Sequence, residues 1–429
     1  MSRYFNVSRF LYDLLSLHRN VRTEHSKLAE IQTKKLRATI RYAYENVPFY
    51  HSLLRQQNVK PTEVMSKDDL RKIPIVTRKD AQNNSPSLMS RKISPERCTR
   101  HRTSGSSGIP LTVWIDKDSE RFRYAVSLRQ FFECGGKLRD KQVQLRGMGS
   151  LHASRARKKT LNEYLPFFRT KRIVLAHTSD YLISSLKEYK PDVMVGYPSL
   201  FQLLAENARE AVKPRIVFCT GEILTNHCRA LLRSAFSSNP IDSYGCTEGG
   251  DIAWECPDDR VGYHINADSL IVEFVRDGEN VAPGEEGEIV LTALSNRSMP
   301  FIRYNTGDVG VPSDEQCSCG RTLPLMRLIK GRSDDFIVLP DGTRLSPLGV
   351  LNMENFPEVE EYRIIQQRRD LVEVWLKMEK FYKQSSVAKC LSALRNVFGE
   401  DVQVRPLIVD QIPRDDSGKL RRIVSKIAG

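Results

Sequence analysis

The middle of the chain alternates helical and strand-like segments, and this alternation constrains the fold more than any other feature. Residues 181–189 have helical spacing and precede the short apolar run 193–195. The pattern repeats as a strand-like run at 216–219, a helix at 224–236 and a strand at 241–244. Short strands separated by helices predict parallel pairing with helical crossovers. Because ligands bind beyond the carboxyl ends of such strands, the segments after the last two strands are candidates for a binding site.

The flanking regions have a different character. Residues 1–60 have helical spacing, whereas residues 268–312 contain strand-like runs and turn residues that predict a smaller β unit. After residue 334, strand-like runs and a helix predict a compact α+β unit. At 429 residues the chain exceeds what one hydrophobic core serves. We therefore predict an α/β fold with a large multi-sheet N-terminal domain at 1–332 and a small α+β C-terminal domain at 333–429.

Composition narrows the classes of partner. The 66 basic and 52 acidic residues give a formal charge of +14, which suits nucleic acid, an acidic membrane surface, or anionic small molecules and carrier proteins. The basic run 155–159 is interpreted as a solvated loop, and without a zinc-finger array or RNA-binding signature we expect no specific nucleic-acid binding. No run approaches the ~20 apolar residues of a transmembrane segment. Nine cysteines without a regular framework, and no signal-peptide pattern, predict a cytoplasmic protein.

A glycine- and hydroxyl-rich segment is the first candidate for binding an anion. It consists of Thr103, Ser104, Gly105, Ser106, Ser107 and Gly108. Glycines let backbone amides approach a phosphate, and the hydroxyl groups add further donors. The segment lacks the Gly-Lys-Ser/Thr ending of a Walker A loop. An ordinary flexible loop is the alternative interpretation.

Two further segments carry an aromatic residue and carboxylates. Tyr244 can stack on a base, and Thr247 with Glu248 can hold a phosphate oxygen and Mg²⁺, which prefers oxygen ligands. Asp308 is a natural acceptor for two ribose hydroxyls, and Arg332 can add a donor to the same sugar. The alternatives are a capped turn into a helix and a turn residue beside glycine. Together with the glycine-rich segment, these residues predict a nucleoside triphosphate site.

Lys419 lies near the C-terminus and follows a glycine turn. A lysine displayed in this way can reach a developing negative charge. The alternative is a solvated lysine in a tail.

Three cysteines and one histidine form a second candidate constellation: Cys256, His264, Cys317 and Cys319. Three thiolates and an imidazole make a closed tetrahedral zinc set. The two halves lie far apart in sequence, so independent reduced thiols and a loop histidine remain the alternative.

The ordered set of segments resembles the phenylacetate–coenzyme A ligase branch of the adenylate-forming enzymes, in particular its capsule-biosynthesis (CapK) and coenzyme F390 synthetase-like group. Residues 43–50 look like the opening helix of that branch, and the segments at 103–108, 220–222, 244–248 and 303–308 follow in family order. Residues 331–335 and 413–419 complete the set. The resemblance covers nearly the whole chain and implies a large adenylate-forming domain followed by a mobile C-terminal lid.

The resemblance also implies a role for each candidate residue. Residues 103–108 hold the β- and γ-phosphates, and Asp334 is the hinge of the lid. The remaining roles are adenine binding by Gly221, Glu222 and Tyr244, phosphate contact by Thr247, Mg²⁺ binding by Glu248, ribose binding by Asp308 and Arg332, and bridging of the carboxylate and α-phosphate by Lys419. Because some members of the branch carry Cys/His zinc sites, the resemblance strengthens the prediction of a structural zinc at the second constellation.

The expected activity is an ATP-dependent, AMP-forming ligation of a carboxylic acid to a thiol, that of coenzyme A. Alternatives are transfer of the acyl group to an amine, a hydroxyl or a carrier protein, and adenylylation of a phenol. A basic, zinc-containing binding protein with a relic nucleotide fold is an alternative of a different class.

The sequence departs from the family pattern after the glycine-rich segment. Ile109-Pro110 stands where many adenylate-forming enzymes carry a lysine. The acid pocket is not defined by a motif. Its unranked candidates are Tyr124, Arg146, Gly147, Tyr197 and Ser243.

Overall fold

The structure is a computed structural model, and it describes residues 6–103, 111–146, 169–174, 179–207, 212–260, 262–332, 336–345, 356, 358–415 and 419–427. Its helices are α1 (Val7–Asn20), α2 (His25–Asn46), α3 (Pro48–Gln56), α4 (Arg78–Asn83), α5 (Lys117–Glu133), α6 (Ser179–Tyr189), α7 (Pro198–Asn207), α8 (Asn226–Phe236) and α9 (Gln384–Phe398). Short 3₁₀ turns lie at Pro61–Glu63, Lys67–Lys72 and Pro95–Arg97.

The strands fall into two groups along the chain. The first group is β1 (Cys98–Arg102), β2 (Thr112–Asp116), β3 (Lys141–Arg146), β4 (Arg169–Val174), β5 (Val193–Gly196), β6 (Ile216–Thr220), β7 (Pro240–Cys246), β8 (Gly250–Glu255), β9 (Tyr263–Ile265), β10 (Leu270–Arg276), β11 (Glu279–Asn280), β12 (Gly287–Ala293), β13 (Tyr304–Ser313) and β14 (Leu325–Arg332). The second group is β15 (Ile337–Val338), β16 (Arg344–Leu345), β17 (Val359–Arg368), β18 (Leu371–Met378), β19 (Gln403–Ile408) and β20 (Ile423–Ser425).

A twelve-stranded sheet organises the large N-terminal part of the chain. Its strand order is β11-β10-β12-β13-β14-β9-β8-β7-β6-β5-β3-β4. Strands β7, β6, β5, β3 and β4 pair in parallel, as the helix–strand alternation predicts, whereas the pairs from β7 to β11 are antiparallel. The strands of residues 268–312 therefore do not form the separate β unit that we expected. They continue the same sheet because β14, β9 and β8 connect them to its parallel half.

The central parallel strands β5 and β6 are buried on both faces, which explains their continuous apolar runs. Along β6, Val217 and Cys219 face the core cluster formed with α7 and α8. Ile216 and Phe218 face the opposite cluster, to which α5 contributes Phe131. Successive side chains of a strand point to opposite faces, so one short run supplies both cores.

Helix α5 crosses one face of this sheet and connects it to the candidate site. Asp116 caps its N-terminus by accepting hydrogen bonds from the amides of Asp118 and Ser119. Arg123, Ser127 and Gln130 lie on one face of this helix, as their spacing of four and three residues requires. Among the described residues, no helix has the length and apolar character that crossing a bilayer requires.

The second group of strands builds a smaller unit with its own core. Its sheet has the order β19-β18-β17-β20, in which β17 and β18 are antiparallel and the outer strands are parallel to their neighbours. Helix α9 packs on this sheet through Val387, Cys390 and Leu394. The large sheet ends with β14 at Arg332, and β15 begins at Ile337. The domain boundary between residues 332 and 333 stays a prediction.

Candidate active site

The first polar cluster joins the end of β7 to β13. The hydroxyl of Tyr244 donates a hydrogen bond of 2.7 Å to Oδ2 of Asp308 and a longer one of 3.4 Å to Oγ1 of Thr306. Burial, and then the neighbouring Asp308 carboxylate, raise the pKa of Tyr244 well above its usual value, so its phenol stays protonated. Arg332 is opposite Asp308 in the register of β13 and β14, but its side chain lies outside the described part of the chain. Tyr244, predicted for adenine, and Asp308, predicted for ribose, therefore adjoin one another.

The turn after β7 carries Thr247 and Glu248. Arg123 of α5 fixes this turn by donating to the carbonyl oxygens of both residues, at 2.9 and 2.6 Å. The Glu248 side chain is buried, and its Oε1 accepts a hydrogen bond of 2.7 Å from the hydroxyl of Tyr304. Burial and the neighbouring Glu248 raise the pKa of Tyr304, so Tyr304 remains a donor to the carboxylate.

The N-terminus of α4 meets the same carboxylate. Nη1 of Arg78 lies 4.0 Å from Oε1 of Glu248, and Nη2 donates a hydrogen bond of 2.7 Å to Oγ1 of Thr103. Thr103 also accepts from the amide of Leu111 at 2.9 Å, across the predicted phosphate loop. The rest of the loop, 104–108, lies outside the described residues, as does Asp334. Arg78 thus connects the first residue of that loop to Glu248.

Lys419 reaches the carboxyl edge of the parallel strands. Its Nζ lies 5.6 Å from the ring centroid of Tyr197, and its amide donates to Oδ1 of Asp415 at 2.9 Å. A Cβ atom at Gly221 would lie 2.9 Å from Cε1 of Tyr197 and 3.1 Å from Cε of Lys419. Gly221 has a positive φ of 78°, so both its conformation and this close approach require glycine.

The carboxylate of Glu222 joins the two parts of the chain. It accepts hydrogen bonds from the amide and hydroxyl of Ser199, at 3.0 and 2.9 Å, and from the amide of Leu420 at 2.8 Å. Nη1 of Arg414 donates to Oγ of Ser199 at 2.8 Å. Glu222 therefore holds the backbone next to Lys419, and its predicted adenine role stays a prediction.

The four predicted zinc ligands come together although they belong to distant segments. Sγ of Cys317 lies 3.5 Å from Sγ of Cys256, and Sγ of Cys319 lies 3.4 Å from Nε2 of His264. All four ligand atoms lie within 4.8 Å of one another. A zinc tetrahedron with ordinary bond lengths separates its ligand atoms by about 3.5–3.8 Å, so the donor set and its spacing fit this ion. The amide of Asp259 donates a hydrogen bond of 3.5 Å to Sγ of Cys256, and the amide of Arg321 donates one of 3.5 Å to Sγ of Cys319.

The candidates for the acid pocket are only partly brought together. Tyr197 lies against Lys419, and Ser243 is buried and accepts a hydrogen bond of 2.7 Å from Nε2 of Gln130. Tyr124 instead stacks on Phe10, with ring centroids 5.6 Å apart. The side chain of Arg146 lies outside the described part of the chain, as does Gly147.

Sequence reasoning missed three residues that shape the site: Arg78, Arg123 and Tyr304. Tyr304 was detectable, because it is four positions before Asp308 on a strand and such residues share a face. Arg78 follows Thr77 in a capping box, which indicates only the start of a helix. Arg123 lies within a helix and carries no motif.

Comparison with known families now has a geometric basis. Residues 341–426 match the CapK C-terminal domain, and residues 55–295, more than half of the chain, match the family described as AMP-binding enzyme. The chain belongs to the AMP-binding enzyme family. The matched regions contain the Tyr244–Glu248 turn of the large sheet and the Lys419 segment of the smaller unit.

Individual members of the AMP-binding enzyme family are similar over most of this chain. A phenylacetate-coenzyme A ligase of Thermus thermophilus is 29% identical over 93% of this chain and 96% of that protein. One of Escherichia coli is 28% identical, with 73% of each chain covered. A crystal structure of 2-hydroxyisobutyryl-CoA ligase matches the fold with a TM-score of 0.80 at 21% identity, covering 95% of this chain and 91% of that one. The predicted family and the fold class are confirmed, and these relatives support the predicted phenylacetate–coenzyme A ligase branch.

Proposed function

We propose that this AMP-binding enzyme is an ATP-dependent, AMP-forming ligase that joins a carboxylic acid to a thiol, that of coenzyme A. The observation that carries the proposal is the position of Lys419, which the smaller unit brings to Gly221 at the edge that also carries Tyr244. The relatives named as phenylacetate-coenzyme A ligases support the acid and thiol classes. The reaction has two steps: formation of an acyl-adenylate with release of pyrophosphate, and displacement of AMP by the thiol.

The large sheet binds the nucleotide in this proposal. Gly221 and Tyr244 line the adenine site, and Asp308 with Arg332 binds the ribose. Residues 103–108 and Thr247 contact the phosphates. The hydrogen bond of 2.7 Å between Tyr244 and Asp308 supports this assignment, because it places the residue proposed for the base beside the residue proposed for the sugar of the same nucleotide.

Glu248 is the proposed ligand of Mg²⁺. Its buried carboxylate supplies the hard oxygen ligand that Mg²⁺ prefers, and Thr247 next to it contacts the phosphates. Arg123 and Tyr304 hold the turn and the carboxylate in place. A Mg²⁺ ion held by Glu248 would neutralise charge on the phosphates.

Lys419 acts at the first step. A carboxylate and a triphosphate are both anions, so their approach depends on positioning and on neutralised charge. Lys419 bridges the substrate carboxylate and the α-phosphate and stabilises the charge that develops there. The smaller unit then rotates about Asp334 as a lid, which removes Lys419 and admits the thiol.

We further propose a structural zinc at Cys256, His264, Cys317 and Cys319. Four protein ligands leave no position for a reactive water, so the ion stabilises the fold and takes no part in the reaction. Reduced thiols at this site favour a cytoplasmic location. Purified enzyme is expected to carry about one zinc ion per chain by elemental analysis. Cys317→Ser should lose the zinc and lower the Tm, whereas the matched change Cys98→Ser, outside the cluster, should do neither; a folded, metal-free wild type would contradict this site.

The reaction is tested by measuring pyrophosphate release from ATP and Mg²⁺ across aromatic, aliphatic and hydroxy acids, with and without coenzyme A. Mass spectrometry of the products identifies the acceptor. We expect release that depends on one class of acid and an acyl–coenzyme A product when the thiol is present.

The other outcomes separate the alternatives. Acid-dependent pyrophosphate release without a coenzyme A product would move the acceptor to an amine, a hydroxyl or a carrier protein. AMP attached to a phenol would replace acid activation by adenylylation. Failure to bind ATP, with binding of arbitrary DNA that falls steeply with salt, would favour the binding-protein alternative.

A further inference from the structure

The predicted phosphate loop has no cation of its own. Residues 103–108 contain only hydroxyl residues and glycines, and Ile109-Pro110 follows them. If the enzyme uses ATP as proposed above, the β- and γ-phosphates carry most of the charge that the site must neutralise. Backbone amides and hydroxyls supply partial charges, whereas an arginine supplies a full charge with a planar set of donors that matches a phosphate.

Arg78 lies where that charge is required. Its guanidinium contacts Thr103, the first residue of the loop, at 2.7 Å, and lies 4.0 Å from the Glu248 carboxylate. It therefore lies between Thr103 and Glu248, the proposed Mg²⁺ ligand. Its side chain is 17% exposed, so it is largely desolvated yet accessible to a ligand. Arg123 is the other described arginine at this turn, and it directs two nitrogens to backbone carbonyls.

The large sheet holds Arg78 in this position. Two residues earlier, Val76 forms a bridge with Tyr304 of β13: its amide donates to the carbonyl of Arg303 at 2.8 Å, and its carbonyl accepts from the amide of Asn305 at 2.9 Å. The start of α4 is therefore attached to the strand that carries Asp308. Because this attachment uses backbone groups, it does not depend on the side chain at position 78.

We propose that Arg78 binds the β- and γ-phosphates of ATP and stabilises the pyrophosphate leaving group. During adenylation a carboxylate oxygen forms a bond to the α-phosphorus, and the bond from that phosphorus to the bridging oxygen of the β-phosphate breaks. The leaving pyrophosphate keeps the electron pair of the broken bond, so negative charge grows on it. A guanidinium beside the loop stabilises that charge without exchanging a proton, because arginine stays protonated. Arg78 thus supplies the charge that a loop lysine provides in many adenylate-forming enzymes.

The test compares the binding of ATP and of AMP, because only ATP carries the phosphates that Arg78 would contact. Isothermal titration calorimetry is done with Mg²⁺ and without acid on the wild type, Arg78→Ala, Arg78→Lys and Arg78→Gln. Lys79→Ala is the matched control, because it removes the same charge from the adjacent, exposed position. Arg78→Ala should weaken ATP binding about 10- to 100-fold, the size expected of a hydrogen bond to a charged group, and leave AMP binding unchanged.

The conservative variants keep the test informative if the alanine variant does not fold. Arg78→Lys should recover part of the ATP affinity, and Arg78→Gln, which has donors but no charge, should not. The control should bind both nucleotides as the wild type does. Equal losses of ATP and AMP binding, or no loss at all, would overturn the role of Arg78. A wild type that binds neither nucleotide would instead overturn the proposed function.

Discussion

The two parts of the candidate site are held in different ways. In the large sheet, Glu248 is fixed by a buried tyrosine hydroxyl and a turn that Arg123 holds through two carbonyls. Lys419 belongs to a separate unit, and the described hydrogen bonds that join this unit to the large N-terminal part are few. They include those to Glu222, Ser199 and Gln202. Polar contacts at a surface can open and reform more readily than a packed core. We therefore expect the proposed nucleotide half to be built in advance and the proposed catalytic lysine to be added to it reversibly.

The largest effect is expected from Lys419→Ala. If Lys419 of the smaller unit acts in the reaction and the large sheet binds the nucleotide, this change should lower acid-dependent pyrophosphate release about 10²- to 10³-fold, as loss of a positioned donor does. ATP binding, measured by calorimetry, should be unchanged. Lys426→Ala is the matched control, because Lys426 is exposed on the same unit. An unchanged release rate would remove Lys419 from the mechanism.

Asp308→Asn tests the other half of the comparison. The change keeps the shape of the side chain but removes the charge that the Tyr244 phenol contacts and that we propose the ribose hydroxyls contact. ATP and AMP binding should weaken together, by about 10- to 100-fold. The exposed Asp314→Asn, in the segment after the same strand, should leave both affinities unchanged. If Asp308→Asn slows pyrophosphate release while both affinities stay at wild-type values, the proposed division between binding and chemistry is wrong.

A smaller effect on the reaction is expected from Glu222→Gln. An amide has one acceptor oxygen, so it cannot keep the contacts of both carboxylate oxygens with Ser199 and Leu420. Pyrophosphate release should fall about 2- to 10-fold, the value of one hydrogen bond, because Lys419 is held less firmly. Thiol transfer from a supplied acyl-adenylate should be unchanged. Weaker AMP binding with normal release would instead return Glu222 to the adenine site.

The smallest effect on the reaction is expected from Asp242→Asn, which changes the large sheet away from the contacts between Glu222 and the smaller unit. Burial raises the pKa of Asp242 to about 7, although Tyr263 donates a hydrogen bond to it. An unfolded aspartate has a pKa of about 4, so between about pH 4 and 7 the folded state keeps a proton that the unfolded state loses. The free energy of unfolding of the wild type should therefore fall as pH rises through this window.

The variant should lose this pH dependence. Urea unfolding at pH 5 and pH 8 should show a decrease for the wild type on the order of 2 kcal/mol, and a smaller one for Asp242→Asn. Pyrophosphate release at neutral pH should be similar in both proteins. Equal pH dependence in the two proteins would show that Asp242 does not titrate in this range.

The sequence predicted the local elements better than the contacts between them. Runs such as 216–219 and 241–244 have short-range patterns, and the structure contains strands at both places. By contrast, the contact of Arg78 with Glu248 depends on Val76 pairing with a strand more than 200 residues later, and no local pattern encodes such a pairing. The continuation of residues 268–312 into the main sheet has the same kind of cause, because it depends on pairing through β14 and β9.

The predicted site shows the same division. The proposed zinc ligands were identifiable by residue type, but their proximity depends on the register that places His264 opposite Leu325, near the end of the Cys317–Cys319 loop. The role of Gly221 followed from a family pattern, whereas its close approach to Lys419 depends on how the two units meet. Side chains that act through tertiary contacts, such as Arg123, leave no motif to detect.

The most direct test of the central claim follows an oxygen atom. The enzyme is given ATP, Mg²⁺, coenzyme A and an accepted acid whose carboxylate carries ¹⁸O at both positions, and the products are analysed by mass spectrometry. If the carboxylate attacks the α-phosphorus and the thiol then displaces AMP, each AMP molecule carries one ¹⁸O and the thioester keeps the other. Label in inorganic phosphate with formation of ADP, or AMP without label, would contradict activation of the acid as an acyl-adenylate.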